Sequence, residues 1–349
     1  MRTTVSVRNW ARWGVAAYVL ALAPVIAPAQ EYQPASATPA PATATGEQPT
    51  TAPAAKPRPP GGIGNERSFP EIKSGKWTGK RLPDGQPDVA GDWSNTIGNH
   101  DNFTDPQGGI PGDPAPEARN HKLGAREERA PSRVSDPADG EIPYQPWARA
   151  KQQEFAVGFF NAIKPEYIEP LARCAPSGIP KSFYWHGYEI RQYPGYVVFL
   201  FGSGWRIIHL DGKPHLPADI KLWNGDSRGH WEGNTLVVDV SNNNSKARFA
   251  RTGDFASENV HIVERYIFSP DNKRYNYVAT FTDPTVYTRP VTVTIPARRW
   301  TLNDPKNDWH FPVAAANNPG KEAIPDHFER ICVENNGGFG QLAAQAKKN

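Results

Sequence analysis

The stretch Tyr188-Glu189-Ile190-Arg191-Gln192-Tyr193-Pro194-Gly195-Tyr196-Val197-Val198-Phe199-Leu200-Phe201 decides the fold. Two runs rich in aromatic and β-branched side chains flank a Pro-Gly pair. Proline presets the first φ of a type II turn and glycine tolerates the positive φ of the second, so the runs read as antiparallel strands. Working outward, Trp205 to Leu210 follows Gly202-Ser203-Gly204 and stops at Asp211-Gly212. Thr235 to Val240 follows Glu232-Gly233-Asn234, and Val260 to Phe268, Arg274 to Thr282 and Val291 to Ile295 continue the series. At least seven strands with short links predict an antiparallel meander. Open edges would template aggregation, so the sheet is expected to close into a barrel or fold into a sandwich. No period of about 20 to 50 residues repeats, which excludes a propeller or solenoid.

Upstream, the period changes. After Pro146, the run Trp147 to Ile163 places Trp147, Ala148, Phe155, Phe159, Phe160 and Ile163 near one face at three- and four-residue spacings, and Pro165 stops it. One amphipathic helix is expected there. From Gly61 to Pro146 the text is polar and broken by Gly and Pro, which predicts an extended arm whose anchors are Trp77, Val89 and Trp93. Residues 30–60 are dominated by Ala, Pro and Thr and are expected to form a disordered linker, a spacer more than a peptide ligand. At the N-terminus, Arg2, Arg8 and Arg12 precede an apolar stretch from Trp13 to Ile26, and Ala27-Pro28-Ala29 offers small residues at a cleavage site. Residues 1–29 thus read as a signal peptide, with an uncleaved anchor as the competing reading. The organisation expected is signal 1–29, linker 30–60, arm 61–146 and a β-rich domain with an N-terminal helix over 147–340, in a periplasmic or secreted protein with no stable membrane span once the signal is removed.

Charge narrows the partners. The 39 basic and 36 acidic residues leave +3, which supplies little long-range field for phosphate and argues against a nucleic-acid partner. Cys174 and Cys332 are the only cysteines. In an oxidising compartment they are expected to pair, closing a loop worth up to about 5 kcal/mol; the bland alternative is two buried thiols. Two cysteines cannot build a thiolate zinc cage.

The runs Asp211-Gly212-Lys213-Pro214-His215, Trp223-Asn224-Gly225-Asp226-Ser227, Trp231-Glu232-Gly233-Asn234-Thr235-Leu236-Val237-Val238-Asp239, His261-Ile262-Val263-Glu264-Arg265 and Asp283-Pro284-Thr285-Val286-Tyr287 resemble a large family of exported bacterial proteins of unassigned function. The resemblance covers about residues 170–300, and the Trp231 to Asp239 run is its most specific part. It implies a β-rich, lipocalin-like domain and carries no activity with it.

Chemistry is fainter. Gly225-Asp226-Ser227-Arg228-Gly229 matches a nucleophile elbow in letters, but that turn must open a helix, and the β-rich run after it points instead to a Gly-rich loop in a meander. Metal signatures are weak: no His-Glu-x-x-His occurs, and His209 and His215 stand six apart across a turn. No cofactor is therefore expected, with a metal left open. A mixed polar cluster inside the barrel is the better constellation. If Leu236, Val238 and Val240 pack outward, Val237 and Asp239 face the lumen. Ile262, Glu264 and Tyr266 share one face of their strand, as do Tyr275, Tyr277, Ala279 and Phe281. On a one-sided sheet the same carboxylates would be a solvated face, with Glu264 paired to an arginine.

Two function classes follow. The first is an exported enzyme doing acid–base chemistry, as a lyase, isomerase or hydrolase, on a small organic or sugar-like substrate in the barrel cavity. His261 or His215 would transfer the proton, Asp239 or Glu264 would orient it, and Tyr287 or Tyr266 would donate to an oxyanion; histidine is chosen because its ordinary pKa, about 6.5, needs least adjustment. The offset of three between His261 and Glu264 puts them on opposite sides of a strand, so at most one should serve. The second class is a lipocalin-like protein that binds a small molecule or carbohydrate without catalysis. Trp185, Tyr188, Trp223, Trp231, Tyr275 and Tyr277 are the aromatic candidates for holding a ligand in either case.

Overall fold

A computed structural model describes residues 71–95, 103–104, 132–160, 163–168, 170, 174–184, 187–201, 204–249 and 253–299. Ten strands form one sheet: β1 (Gly91–Asn95), β2 (Val134–Asp136), β3 (Gly187–Tyr193), β4 (Tyr196–Phe201), β5 (Gly204–His209), β6 (Asp226–Glu232), β7 (Thr235–Ser241), β8 (His261–Phe268), β9 (Arg274–Thr282) and β10 (Val291–Arg299). The order runs β1-β3-β4-β5-β6-β7-β8-β9-β10, and β1 pairs with both β3 and β10, so nine strands close a barrel and β2 is an extra strand on β10. Barrel, not sandwich, is how the edges are removed. The expected signal peptide, the linker, about half of the arm, Cys332 and Trp185 lie outside the described residues.

Three strands were not anticipated, each for a local reason. β1 arises inside the arm: Trp93 pairs in register with Tyr188 on one side and Arg299 on the other, and its ring is fully buried. Two of the arm's expected anchors, Trp77 and Val89, are buried as well. Three residues at β2 are too few to show a period. β6 occupies the segment expected to be a Gly-rich loop, since Asp226 and Ser227 pair with Ser241 and Val240 of β7. No helix follows Gly229, and Ser227 is no elbow: its Oγ accepts from Arg206 Nε at 3.0 Å and Nη2 at 2.9 Å. β5 and β6 run parallel, with His209 and Arg228 as their register pair, and the connection 210–225 is what lets two successive strands run the same way.

The Pro194-Gly195 turn joins β3 to β4 with Gly195 at φ 79°, as expected. The helix α1 (Pro146–Phe160) is present, but Ala148, Gln152, Phe155 and Ala156 form its buried face, while Trp147 is 51% exposed. Ile163 lies beyond it and is exposed. A second helix, α2 (Lys181–Tyr184), is only four residues long. Its Phe183 is buried among the rings of Tyr188, Phe199, Phe201, Tyr266 and Tyr277, stacked at 4.7 Å on the last. Among the described residues no helix is long and apolar enough to cross a membrane.

Barrel alternation puts Leu236, Val238 and Val240 inward, each at most 1% exposed, and Asp239 outward. The outward packing considered for those three residues is thereby corrected. Their cross-strand partners Tyr266, Glu264 and Ile262 are inward too. One phase of β7 is Leu236, Val238 and Val240 and the other Thr235, Val237, Asp239 and Ser241, and closure of the barrel puts the wholly aliphatic phase inside.

Candidate functional site

The six candidate catalytic residues fall into three places. Glu264 and Tyr266 are inside. Asp239, His215 and His261 stand together on the outer wall, and Tyr287 lies near the end of the barrel, where its hydroxyl donates to the Phe255 carbonyl at 2.8 Å.

Inside, the alternation of β5, β8 and β9 aims Arg206, Glu264, Tyr266 and Tyr277 at one point. Arg206 donates through Nη1 to Glu264 Oε1 at 3.0 Å and through Nη2 to Oε2 at 2.6 Å, and both side chains are almost wholly buried. Tyr277 donates to Glu264 Oε1 at 2.6 Å, and the Tyr266 hydroxyl accepts from Arg206 Nη1 at 2.9 Å. Burial pushes both phenols well above their ordinary range, and the Glu264 charge pushes them further, so they remain donors. Burial opposes the Arg206 charge, yet Glu264 and the surrounding phenols outweigh it and hold the guanidinium firmly protonated. Tyr188 and Tyr275 share a hydrogen bond between their hydroxyls and are raised chiefly by burial. Every polar group of this cluster is answered by a neighbour, and each ring packs against others. The arrangement fixes a core and offers no group poised to exchange protons with solvent. Arginine at 206, placed inward by the period of β5, was the residue that sequence reading passed over.

Outside, His215 comes from the connection 210–225, Asp226 from β6, Asp239 from β7 and His261 from the first position of β8. His215 Nδ1 lies 2.9 Å from Asp226 Oδ2, and its Nε2 lies 2.7 Å from Asp239 Oδ1. Asp239 Oδ2 lies 2.7 Å from His261 Nε2. The result is a continuous line, Asp226–His215–Asp239–His261, running from a buried carboxylate to an imidazole that is 47% exposed. Asp226 also accepts from Arg228 Nε at 3.0 Å and from the Leu216 amide at 3.0 Å. Burial raises the Asp226 pKa, but the Arg228 guanidinium, the Leu216 N–H and His215 together hold it below the ordinary carboxylate range. Arg228 Nη1 further reaches Asp211 Oδ1 at 3.4 Å. The loop is fastened by Asn242, whose Nδ2 lies within 3.2 Å of the carbonyls of Leu216, Pro217 and Ile220. Asp239 alone could not have been assigned to His215 from spacing, because the contact depends on how the connection folds back.

The aromatic candidates divide likewise. Tyr188, Tyr275 and Tyr277 are packed in the lumen. Trp231 leans on Phe268 with centroids 5.9 Å apart, and Trp223 is half-buried at the lip of a surface depression. Among the described residues no group of three His, Cys, Asp or Glu has the geometry to hold a metal ion. Comparison of the chain with protein-family models, with curated proteins and with solved structures returns no match.

Proposed function

We propose that this protein is an exported enzyme carrying out acid–base chemistry on a small organic or sugar-like substrate, with the site on the outer wall of the barrel and not in its lumen. The observation that carries the reading is the Asp239 carboxylate held at 2.7 Å from two imidazoles, one of them facing solvent. Asp239 fixes the ring of His261 through Nε2, so Nδ1, which has no partner among the described residues, is the atom that takes a proton from substrate or returns it. The imidazolium formed is stabilised by the carboxylate beside it. His215 and Asp226 stand behind Asp239 and keep it from swinging away. Neither Tyr266 nor Tyr287 reaches this place, so the oxyanion role considered for them is dropped from the mechanism. A periplasmic or secreted address, the Cys174–Cys332 bridge and kinship with the exported family belong to the same proposal and rest on the sequence alone.

The test is turnover of a panel of sugars, uronates, lactones and small carbonyl compounds in deuterium oxide, read by NMR for exchange, elimination or hydrolysis. Conversion by the wild type, slowed about 10²–10⁴-fold in His261→Ala, is the expected result. A panel left untouched by the wild type turns the balance to the second reading, a lipocalin-like binding protein, which the closed barrel supports.

A further inference from the structure

The line Asp226–His215–Asp239–His261 is joined by three N···O contacts, at 2.9, 2.7 and 2.7 Å. Each needs one proton between its two atoms, and an ionised carboxylate brings none. A neutral imidazole carries one N–H and one lone pair, so His261 meets Asp239 through Nε2 and stays neutral. His215 cannot do the same. Both its ring nitrogens face carboxylate oxygens, and with a single N–H one contact would set a nitrogen lone pair against an oxygen lone pair. The neighbouring charges do not relieve it. Burial opposes the Asp226 charge, but Arg228, the Leu216 N–H and His215 hold that carboxyl below its ordinary range. Arg228 is shared between Asp226 and Asp211, Lys213 Nζ lies 3.0 Å from Asp211 Oδ2, and His209 stands opposite Arg228 in register. An imidazole ordinarily holds its second proton up to about pH 6.5 and an aspartate only up to about 3.9, so the extra proton of the line belongs to a ring.

We infer that His215 is a positioning residue for His261: a resident imidazolium, clamped between Asp226 and Asp239, that takes up part of the Asp239 charge and leaves His261 neutral at rest with Nδ1 bare. Asp239 has one negative charge to divide between two rings. Serving His261 alone, it would draw a second proton onto that ring and spoil it as an acceptor. With His215 charged across the carboxylate, a proton taken at His261 Nδ1 meets a like charge and is given back. His215 is 27% exposed against 47% for His261, so the inner ring keeps its proton and the outer one exchanges. The same charge seats the connection 210–225, because the ring bridges a carboxylate of β6 and one of β7. The benefit to His261 as a base rests on the acid–base reading; the protonation of His215 does not.

Isotope-labelled histidine ring nitrogens, read through long-range proton–nitrogen NMR correlations, test it on the full chain. At about pH 7 both nitrogens of His215 are expected at protonated shifts, while His261 shows a protonated Nε2 and a bare Nδ1. In His215→Gln, whose side chain carries no charge, the share of His261 holding a second proton at that pH should rise roughly threefold or more. A merely structural His215 would leave the His261 titration where it was. Assignment of the rings from the backbone keeps the wild-type measurement decisive if His215→Gln fails to fold by circular dichroism. A His215 ring with one bare nitrogen, whether its proton is lost or held by Asp239, overturns the inference, and so does a His261 titration indifferent to His215→Gln. Both rings found in the expected states, in a protein that turns nothing over, would remove the catalytic reading and leave this one standing.

Discussion

Two carboxylates, one strand position apart in register, meet opposite fates. Glu264 faces inward and is spent on Arg206, Tyr266 and Tyr277, whereas Asp239 faces outward and holds two histidines. Removing Glu264 strands a buried guanidinium: Glu264→Ala should lower unfolding stability by about 3–5 kcal/mol in urea titration. The pair Arg206→Met with Glu264→Leu should recover most of that loss, because the destabilisation comes from an unanswered charge and not from a missing attraction. Asp226 predicts a pH dependence. Its folded pKa lies below that of the unfolded chain, about 3.9, so its contribution is fully present above that value and is lost as pH falls through the folded one. Wild type should therefore lose stability below roughly pH 4, and Asp226→Asn should be weaker at neutral pH with a shallower acid limb. Urea midpoints at about pH 7 and pH 3 compare the slopes. An equal acid loss in both proteins would assign the limb to other carboxylates.

At the scale of elements, the arm and the β6–β7 turn depend on each other. Asn234 binds the segment at residues 73–75 through three contacts: its amide donates to the Gly75 carbonyl at 2.8 Å, its Oδ1 accepts from the Gly75 amide at 2.7 Å, and its Nδ2 reaches the Lys73 carbonyl at 3.0 Å. Gly233, at φ 62°, leaves room for that approach, since a Cβ there would collide with the Gly75 carbonyl. Gly233→Ala is expected to detach the segment while the barrel persists, seen as faster amide exchange and proteolysis at residues 71–77 with far-UV circular dichroism preserved. β1 is a different matter. Trp93 packs edge-on against Tyr275 at 5.0 Å and Phe268 at 5.6 Å and lies under Arg299, so Trp93→Ala should cost about 3–5 kcal/mol.

Among the described residues the sheet meets itself through β1, a barrel strand delivered by the N-terminal arm. Truncation to residue 96 would expose the edges of β3 and β10 together. Such a protein is expected to scatter light and bind amyloid dyes on concentration, while the full chain unfolds in one cooperative transition. A truncated chain that stays clear and cooperative would mean the barrel closes without β1.

What the sequence determined by itself was local. The period of two, the Pro194-Gly195 turn and the size of Trp77, Val89 and Trp93 are read from neighbours along the chain, and strands, hairpin and anchors followed from them. The stretches without a local signal stayed hidden: β2 is too short, β6 opens on charged and small residues, and α2 is a single turn whose worth lies in where Phe183 lands. Tertiary structure alone decided which phase of each strand faces in. Alternation separates Leu236, Val238 and Val240 from Thr235, Val237, Asp239 and Ser241, and closure of the barrel decides which set faces in, sending Asp239 outward and Glu264 inward. The same holds for the site. His215, Asp239 and His261 were singled out as residue types able to move a proton, but their meeting depends on a connection that folds back across β6 and β7, a long-range event that no spacing along the chain encodes.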